Sequence, residues 1–225
     1  MKLTKYTHAC VRLEKAQRVL VIDPGTFSEA EEALAGAHAV LVTHEHNDHI
    51  DRPAVLTALR SDASLQVYAP AGVATALKEA ALKETAREED VARRIHAVEP
   101  GSEFEVAGFH VRTFGGQHAV IHAQIPVVAN IGYLVDANVF HPGDSFVVPD
   151  GITVSTLLVP IHAPWSKVGE VVDFVISVRA PKAFPVHDGL LNELGRGIVE
   201  GHVTRIGARY GTTYERLSPR ESVDV

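Results

Sequence analysis

The chain has 225 residues, 46% of them hydrophobic and only 6% aromatic, enough for one large or two small domains with a core of Val, Ile, Leu and Ala. A formal net charge of −7 argues against a general nucleic-acid binder, which needs clustered Lys and Arg. The single cysteine, Cys10, excludes an intrachain disulfide and a Cys-based zinc cluster. No leader-like N-terminus and no apolar run of about 18 residues is present, so a cytoplasmic chain that neither crosses nor binds a membrane is expected.

Taken in order, residues 10–14 and 18–22 read as a hairpin that ends at Asp23-Pro24-Gly25. Asp23 reads equally as a turn carboxylate or as a group hydrogen-bonding a metal ligand. Ser28 with Glu31 predicts a capping box and a short helix to about Ala37. The apolar run 39–42 predicts a buried strand, and Asp51 with Pro53 the start of a helix through about Leu59. A strand over 65–69, helices over 71–84 and 86–94, and a strand from Ile95 to Val98 follow. From Gly101 the pattern turns β-rich: 103–106, 109–114, 119–128, 131–136 and 138–141. Ile152–Ile161 predicts another strand, Ser166 the cap of a helix to about Val178, 182–186 a strand and 192–209 the last helix. Strands lead each half and helices close it, which predicts a single domain over 1–225. Its expected architecture is a four-layer αββα sandwich of two mixed sheets with helices on the outer faces.

Between the strand at 39–42 and the helix at 53, His44, His46, Asp48 and His49 place three imidazoles and a carboxylate within six positions. A lone histidine in a turn is usually a solvated side chain; four donors in one tight loop are not. On extended backbone His44 and His46 point the same way, whereas a helix would set them about 200° apart. Imidazole and carboxylate are ligands for zinc and its first-row neighbours. Later strands repeat the placement, delivering His118, Asp144 and His187 into Gly-containing turns.

His44-x-His46-x-Asp48-His49 followed by His118, Asp144 and His187 resembles the metallo-β-lactamase-fold hydrolase superfamily over nearly the whole chain. The opening Thr7-His8-Ala9-Cys10-Val11-Arg12-Leu13-Glu14 resembles the branch that includes ascorbate-6-phosphate lactonase-like proteins. The resemblance implies a first metal on His44, His46 and His118, a second on Asp48, His49 and His187, and Asp144 bridging them. Zinc is the default, with manganese, iron or nickel compatible with the same donors. Two cations sharing a water lower its pKa from about 15.7 to about 7, and the resulting hydroxide attacks an ester, lactone or phosphodiester. Asp48 is the expected acceptor of the water's proton. An Asp at 144 counts against a true β-lactamase, and His46, where redox di-iron members carry Glu, against oxygen or nitric oxide reduction.

The alternatives are a phosphodiesterase specifically, or a metal-loaded protein that binds a metabolite or partner without turnover. A Ser-His-Asp enzyme is disfavoured, since no Gly-x-Ser-x-Gly elbow exists. The expected partner is a small-molecule substrate, with homo-oligomerisation open. His8 is a candidate substrate contact, as are His162 and Trp165, which read either as a pocket wall or as a turn residue and a core cap. His122 and His141 read as packing or supporting groups.

Overall fold

The computed structural model describes residues 1–82 and 89–225. The first half of the chain builds β1 (Lys2–Lys5), β2 (Val11–Lys15), β3 (Arg18–Ile22), α1 (Ala30–Leu34), β4 (Ala39–Leu41), α2 (Arg52–Ser61), β5 (Gln66–Pro70), α3 (Ala71–Leu82), α4 (Glu89–Arg93) and β6 (Ile95–Val98). The second half builds β7 (Glu103–Val106), β8 (Phe109–Gly115), β9 (Ile131–Val135), β10 (Val139–His141), β11 (Thr156–Pro160), α5 (Val168–Val178), β12 (Lys182–Val186), α6 (Glu193–Gly207), β13 (Thr213–Tyr214) and β14 (Ser222–Asp224).

Two seven-stranded sheets result, ordered β14-β1-β2-β3-β4-β5-β6 and β13-β12-β11-β10-β9-β8-β7. Each pairs antiparallel where its half begins and parallel where helices intervene. A crossover helix must lie on one face of its sheet, so these strands are apolar on both sides. In β3, Leu20 and Ile22 enter the core between the sheets while Val19 and Val21 enter the core under the helices. Ala39 and Leu41 divide from Val40 and Val42 in the same way. In the other sheet Tyr133 and Val135 face the middle, and Leu134 faces α5 and α6. The result is the expected αββα order of layers. Among the described residues no helix is long and apolar enough to cross a membrane.

Asp51 caps α2 by accepting from the Ala54 N–H, with Pro53 in its first turn, as the sequence predicts. Other local expectations fail. Ser28 does not cap α1: its Oγ bonds back to the Gly25 carbonyl, and the helix starts at Ala30 without a side-chain cap. Ser166 likewise holds the preceding turn through Ala163, and α5 begins two residues later. Residues 119–128 form no strand but a loop, and the strand expected over Ile152–Ile161 shrinks to Thr156–Pro160. The last helix is regular over Glu193–Gly207 and tightens to a 3₁₀ turn over Ala208–Tyr210. The expected helix end at 84 and start at 86 lie outside the described residues. β1 and β14, too short to register as patterns, pair beside β2 and close that edge.

Candidate metal centre

β3, β4, β8, β10 and β12 all run toward one edge of the sheet pair, where the chain leaves them through Asp23, His44, His118, Asp144 and His187. Close backbone approach makes this possible. A Cβ on Gly25 would stand 1.8 Å from the Asp48 carbonyl oxygen, so only glycine lets the turn after β3 touch the metal loop. Gly143, at φ +63°, would drive a Cβ to 2.2 Å from Asn130 Oδ1, the atom that accepts the Asp144 N–H. His8, Asp23 and His187 also adopt left-handed backbone, with φ of 65, 52 and 56°. Non-glycine residues take that conformation at a cost which the surroundings must offset.

Thr43 and Asp23 form the hub. Asp23 Oδ1 accepts the Thr43 N–H at 2.7 Å, and Oδ2 accepts the Thr43 hydroxyl at 2.6 Å and His49 Nδ1 at 2.7 Å. Having donated, the Thr43 oxygen accepts from His44 Nδ1 at 3.0 Å. His118 Nδ1 donates to the Ala119 carbonyl and His187 Nδ1 to the His162 carbonyl. Each ring therefore spends its proton on an outer partner, leaving a bare Nε2 turned inward. His49 Nε2 lies 3.0 Å from Asp144 Oδ1, and His118 and His187 Nε2 lie 3.3 and 3.1 Å from Oδ2. His46 Nδ1 lies 3.1 Å from His44 Nε2.

Two donor groups emerge, His44, His46, His118 and Asp144, and His8, Asp48, His49 and His187, each with ligand atoms within 4.8 Å of one another. All seven residues expected from the sequence converge, and Asp144 also reaches His49 and His187 of the second group. His8 has a different part. Its Nδ1 accepts the Gly189 N–H at 3.2 Å, which puts the proton on Nε2, 3.1 Å from Asp48 Oδ2. A ring so engaged on both sides orients Asp48 and has no lone pair to offer a cation. It is fully buried, as are His44 and His49.

Electrostatics follow from this packing. Burial alone would raise the Asp144 carboxyl; His49 first, then the His118 and His187 rings facing it, hold it well below the usual carboxylate range. Burial opposes ionisation of Asp48 too, yet the His8 hydrogen bond and His49 bring it to about 2. Burial disfavours a charged His49, but Asp144 and Asp23 at its two nitrogens raise it well above an ordinary imidazole. A place that so favours a proton on an inward nitrogen suits a metal cation equally. Burial and the neighbouring histidines lower His44 and His46, keeping them neutral as ligands must be.

Trp165 is no core cap: its indole N–H donates to Asp144 Oδ2 at 2.9 Å. His162 contributes its backbone carbonyl to His187 rather than its ring. His141 is locked between the Ala9 carbonyl and the Gly143 N–H, and His122 accepts the Gln124 N–H. Sequence reasoning missed Thr43, Asn130 and the buried pair Lys5–Asp188, 2.9 Å apart, which ties β1 to the residue after His187. Asp188, adjacent to a candidate ligand, was the one visible sign of that pair.

Residues 2–187 match the family model described as a beta-lactamase superfamily domain. Protein Rv0786c of Mycobacterium tuberculosis is 38% identical over 99% of this chain and 98% of its own length. A UPF0173 protein of Pyrococcus furiosus is 31% identical over 86% of both chains. Igni18, a metallo hydrolase from Ignicoccus hospitalis, superposes with a TM-score of 0.72 at 16% identity, covering 99% of this chain and 97% of its own.

Proposed function

This chain belongs to the metallo-β-lactamase superfamily, and from that premise we propose that it is a metal-dependent hydrolase with a dinuclear site, cleaving an ester or lactone bond of a small substrate. The observation that carries the reading is the meeting of two donor groups at one carboxylate, Asp144. The residues fit a pair of cations on their own chemistry. His49 Nε2, His118 Nε2 and Asp144 Oδ1 are buried with no hydrogen-bond partner, an arrangement that costs about 1–3 kcal/mol per group unless something occupies the space between them.

His44, His46 and His118 would hold one ion, Asp48, His49 and His187 the other, and Asp144 would reach both. Zinc is the ion that this His-rich set suits best. Bound there, the cations supply acidification of a water and polarisation of the oxygen under attack.

The rest of the chemistry is the chain's own. Asp48, ionised at neutral pH and aimed by the His8 N–H, accepts a hydrogen bond from the attacking water and sets its direction. With a pKa of about 2 it is a weak base, so it holds the departing proton only in passing. The Trp165 N–H takes one lone pair of Asp144 and fixes the carboxylate plane. Asp23, through Thr43 and His49, keeps the 44–49 loop in register with β3.

Elemental analysis of the purified protein, paired with a panel of lactones, carboxylic esters and bis-p-nitrophenyl phosphate, tests the reading. The expected result is two metals per chain and ester or lactone hydrolysis that a chelator removes and added metal restores. Failure of the protein to bind metal, or turnover that survives complete chelation, overturns it. Preference for the phosphodiester would shift the bond cleaved and leave the metal centre in place.

A further inference from the structure

The loops that leave the ligand-bearing strand ends present hydrocarbon to solvent. Phe27, in the turn after Asp23, is 47% exposed with its ring 5.2 Å from that of His8. The loop after His118 is pinned at its root, His118 N–H to the Val128 carbonyl at 3.0 Å and Ala119 N–H to the Asp144 carbonyl at 2.8 Å. Beyond that root Val120 and Ile125 are 62 and 46% exposed. Val148, following Asp144, and Leu190, following His187, are 37 and 52% exposed. Trp165 is bonded to Asp144, lies 6.0 and 6.3 Å from the His118 and His187 rings, and is backed by Phe146 at 5.0 Å.

Isolated exposed apolar side chains are ordinary, but these are rooted on the loops of one site. Residues 24–28, 119–128 and 145–149 contain no Asp, Glu, Lys or Arg, and His122 is their one titratable side chain. Of the cations on adjoining segments, Lys5 pairs with Asp188, Arg196 with Asp188 and Glu193, and Arg52 with the Glu45 carbonyl, the unpartnered Nε of both arginines being closed to solvent; Lys167 stands out in solvent 3.8 Å from Glu170. A phosphate- or carboxylate-bearing substrate calls for a free Arg or Lys fork; an alkyl chain calls for surfaces like these.

We infer that the site takes a neutral ester or lactone bearing an alkyl or acyl chain, the chain lying against Phe27 and the Val120–Val127 loop while the carbonyl faces the two donor groups. This rests on the hydrolase reading above. The reaction adds one water, breaks the acyl C–O bond and leaves a carboxylate, an alcohol and one released proton, with no redox partner.

The metal-loaded protein would be given γ-lactones with alkyl chains from methyl to octyl, and a matched series whose chains end in a carboxylate. In the neutral series kcat/KM should rise roughly two- to threefold per methylene, the share of full burial expected at a half-open rim. The carboxylated series should stay flat or fall, and Val120→Ser/Ile125→Ser should flatten the neutral series. Binding is read separately. Trp165 is the only tryptophan, so its fluorescence reports non-hydrolysable γ-lactams carrying the same chains. Lactam affinity that climbs with chain length while no lactone is cleaved keeps the apolar mouth and removes the hydrolase reading. Hydrolysis that ignores chain length, or prefers the carboxylated series, overturns the apolar mouth and leaves the hydrolase standing.

Discussion

The two donor groups are held in place by different means. His44, His46 and His118 lean on one another, with ring centroids 4.7, 5.0 and 4.8 Å apart; Thr43 stands behind His44 and the Ala119 carbonyl behind His118, while the His46 ring bonds only to His44. The group of Asp48, His49 and His187 is tied into the body of the protein. His8 bonds Asp48, the His8 backbone carbonyl accepts the His187 N–H at 3.1 Å, and Lys5–Asp188 anchors the His187 turn to β1. The first half, through His46, thus depends more on what lies between its ligands, while the second is braced from behind at every member. Chelation should disorder the first more than the second.

The largest effect should come from the residue the halves share. Asp144→Ala removes the carboxylate that faces three imidazoles and should empty both halves together, with a loss of roughly a thousandfold or more in turnover. Metal analysis of the purified variant alongside its rate decides the point; undiminished metal and rate would show that the halves work separately.

Next comes the bracing. Lys5→Met leaves buried Asp188 with Arg196, 3.7 Å away, as its remaining cation and should cost about 3 kcal/mol in urea unfolding, the low end for a broken buried pair. The double change Lys5→Met/Asp188→Leu should recover only part of that loss, because an apolar pair replaces an ionic one while Arg196 keeps Glu193 alone. If the single variant is as stable as the parent, β1 does not brace the His187 turn. Smaller again is Asp23→Ala, which releases His49 directly and His44 through Thr43. Metal affinity should fall about 10–100-fold, the usual cost of removing a group behind a ligand. Competition with a chromophoric chelator reads this affinity without any substrate.

The same contrast governs what the sequence discloses. The 44–49 loop is legible because its donors are adjacent in the chain and must converge on extended backbone. The sheets are legible because β3, β4 and β11 are apolar on both faces. The bracing is hidden because Lys5 meets Asp188 across 183 residues, and a lysine in a short polar strand carries no periodic signal. The Ser28–Glu31 and Ser166 signatures mislead because a serine whose hydroxyl donates back to the preceding turn is aimed away from the helix N–H groups. Residues 119–128 resemble a strand because an apolar run looks the same whether it packs in a core or rims a site; only its tethers to Asp144 and Val128 separate the two.

The smallest and most selective prediction concerns His8. His8→Ala removes one hydrogen bond to Asp48 and leaves the His44 group untouched, so turnover should fall about tenfold with half of the metal still tightly held. The variant should also change acid stability in the metal-free protein, and the sign is fixed by the carboxylate. Asp48 is depressed from 3.8 to about 2, so in the parent its contribution is fully present above pH 3.8 and is lost as the pH falls toward 2. Allowing for partial exposure, that contribution is about 1–2 kcal/mol. His8 itself, held neutral chiefly by burial, adds a loss in the same direction as the pH drops below 6.5. The stability gap between parent and variant should therefore be widest near neutrality and narrow on acidification, as followed by urea unfolding from pH 7 to pH 3. A constant gap would mean that His8 merely fills space, and that the second donor group is no better braced than the first.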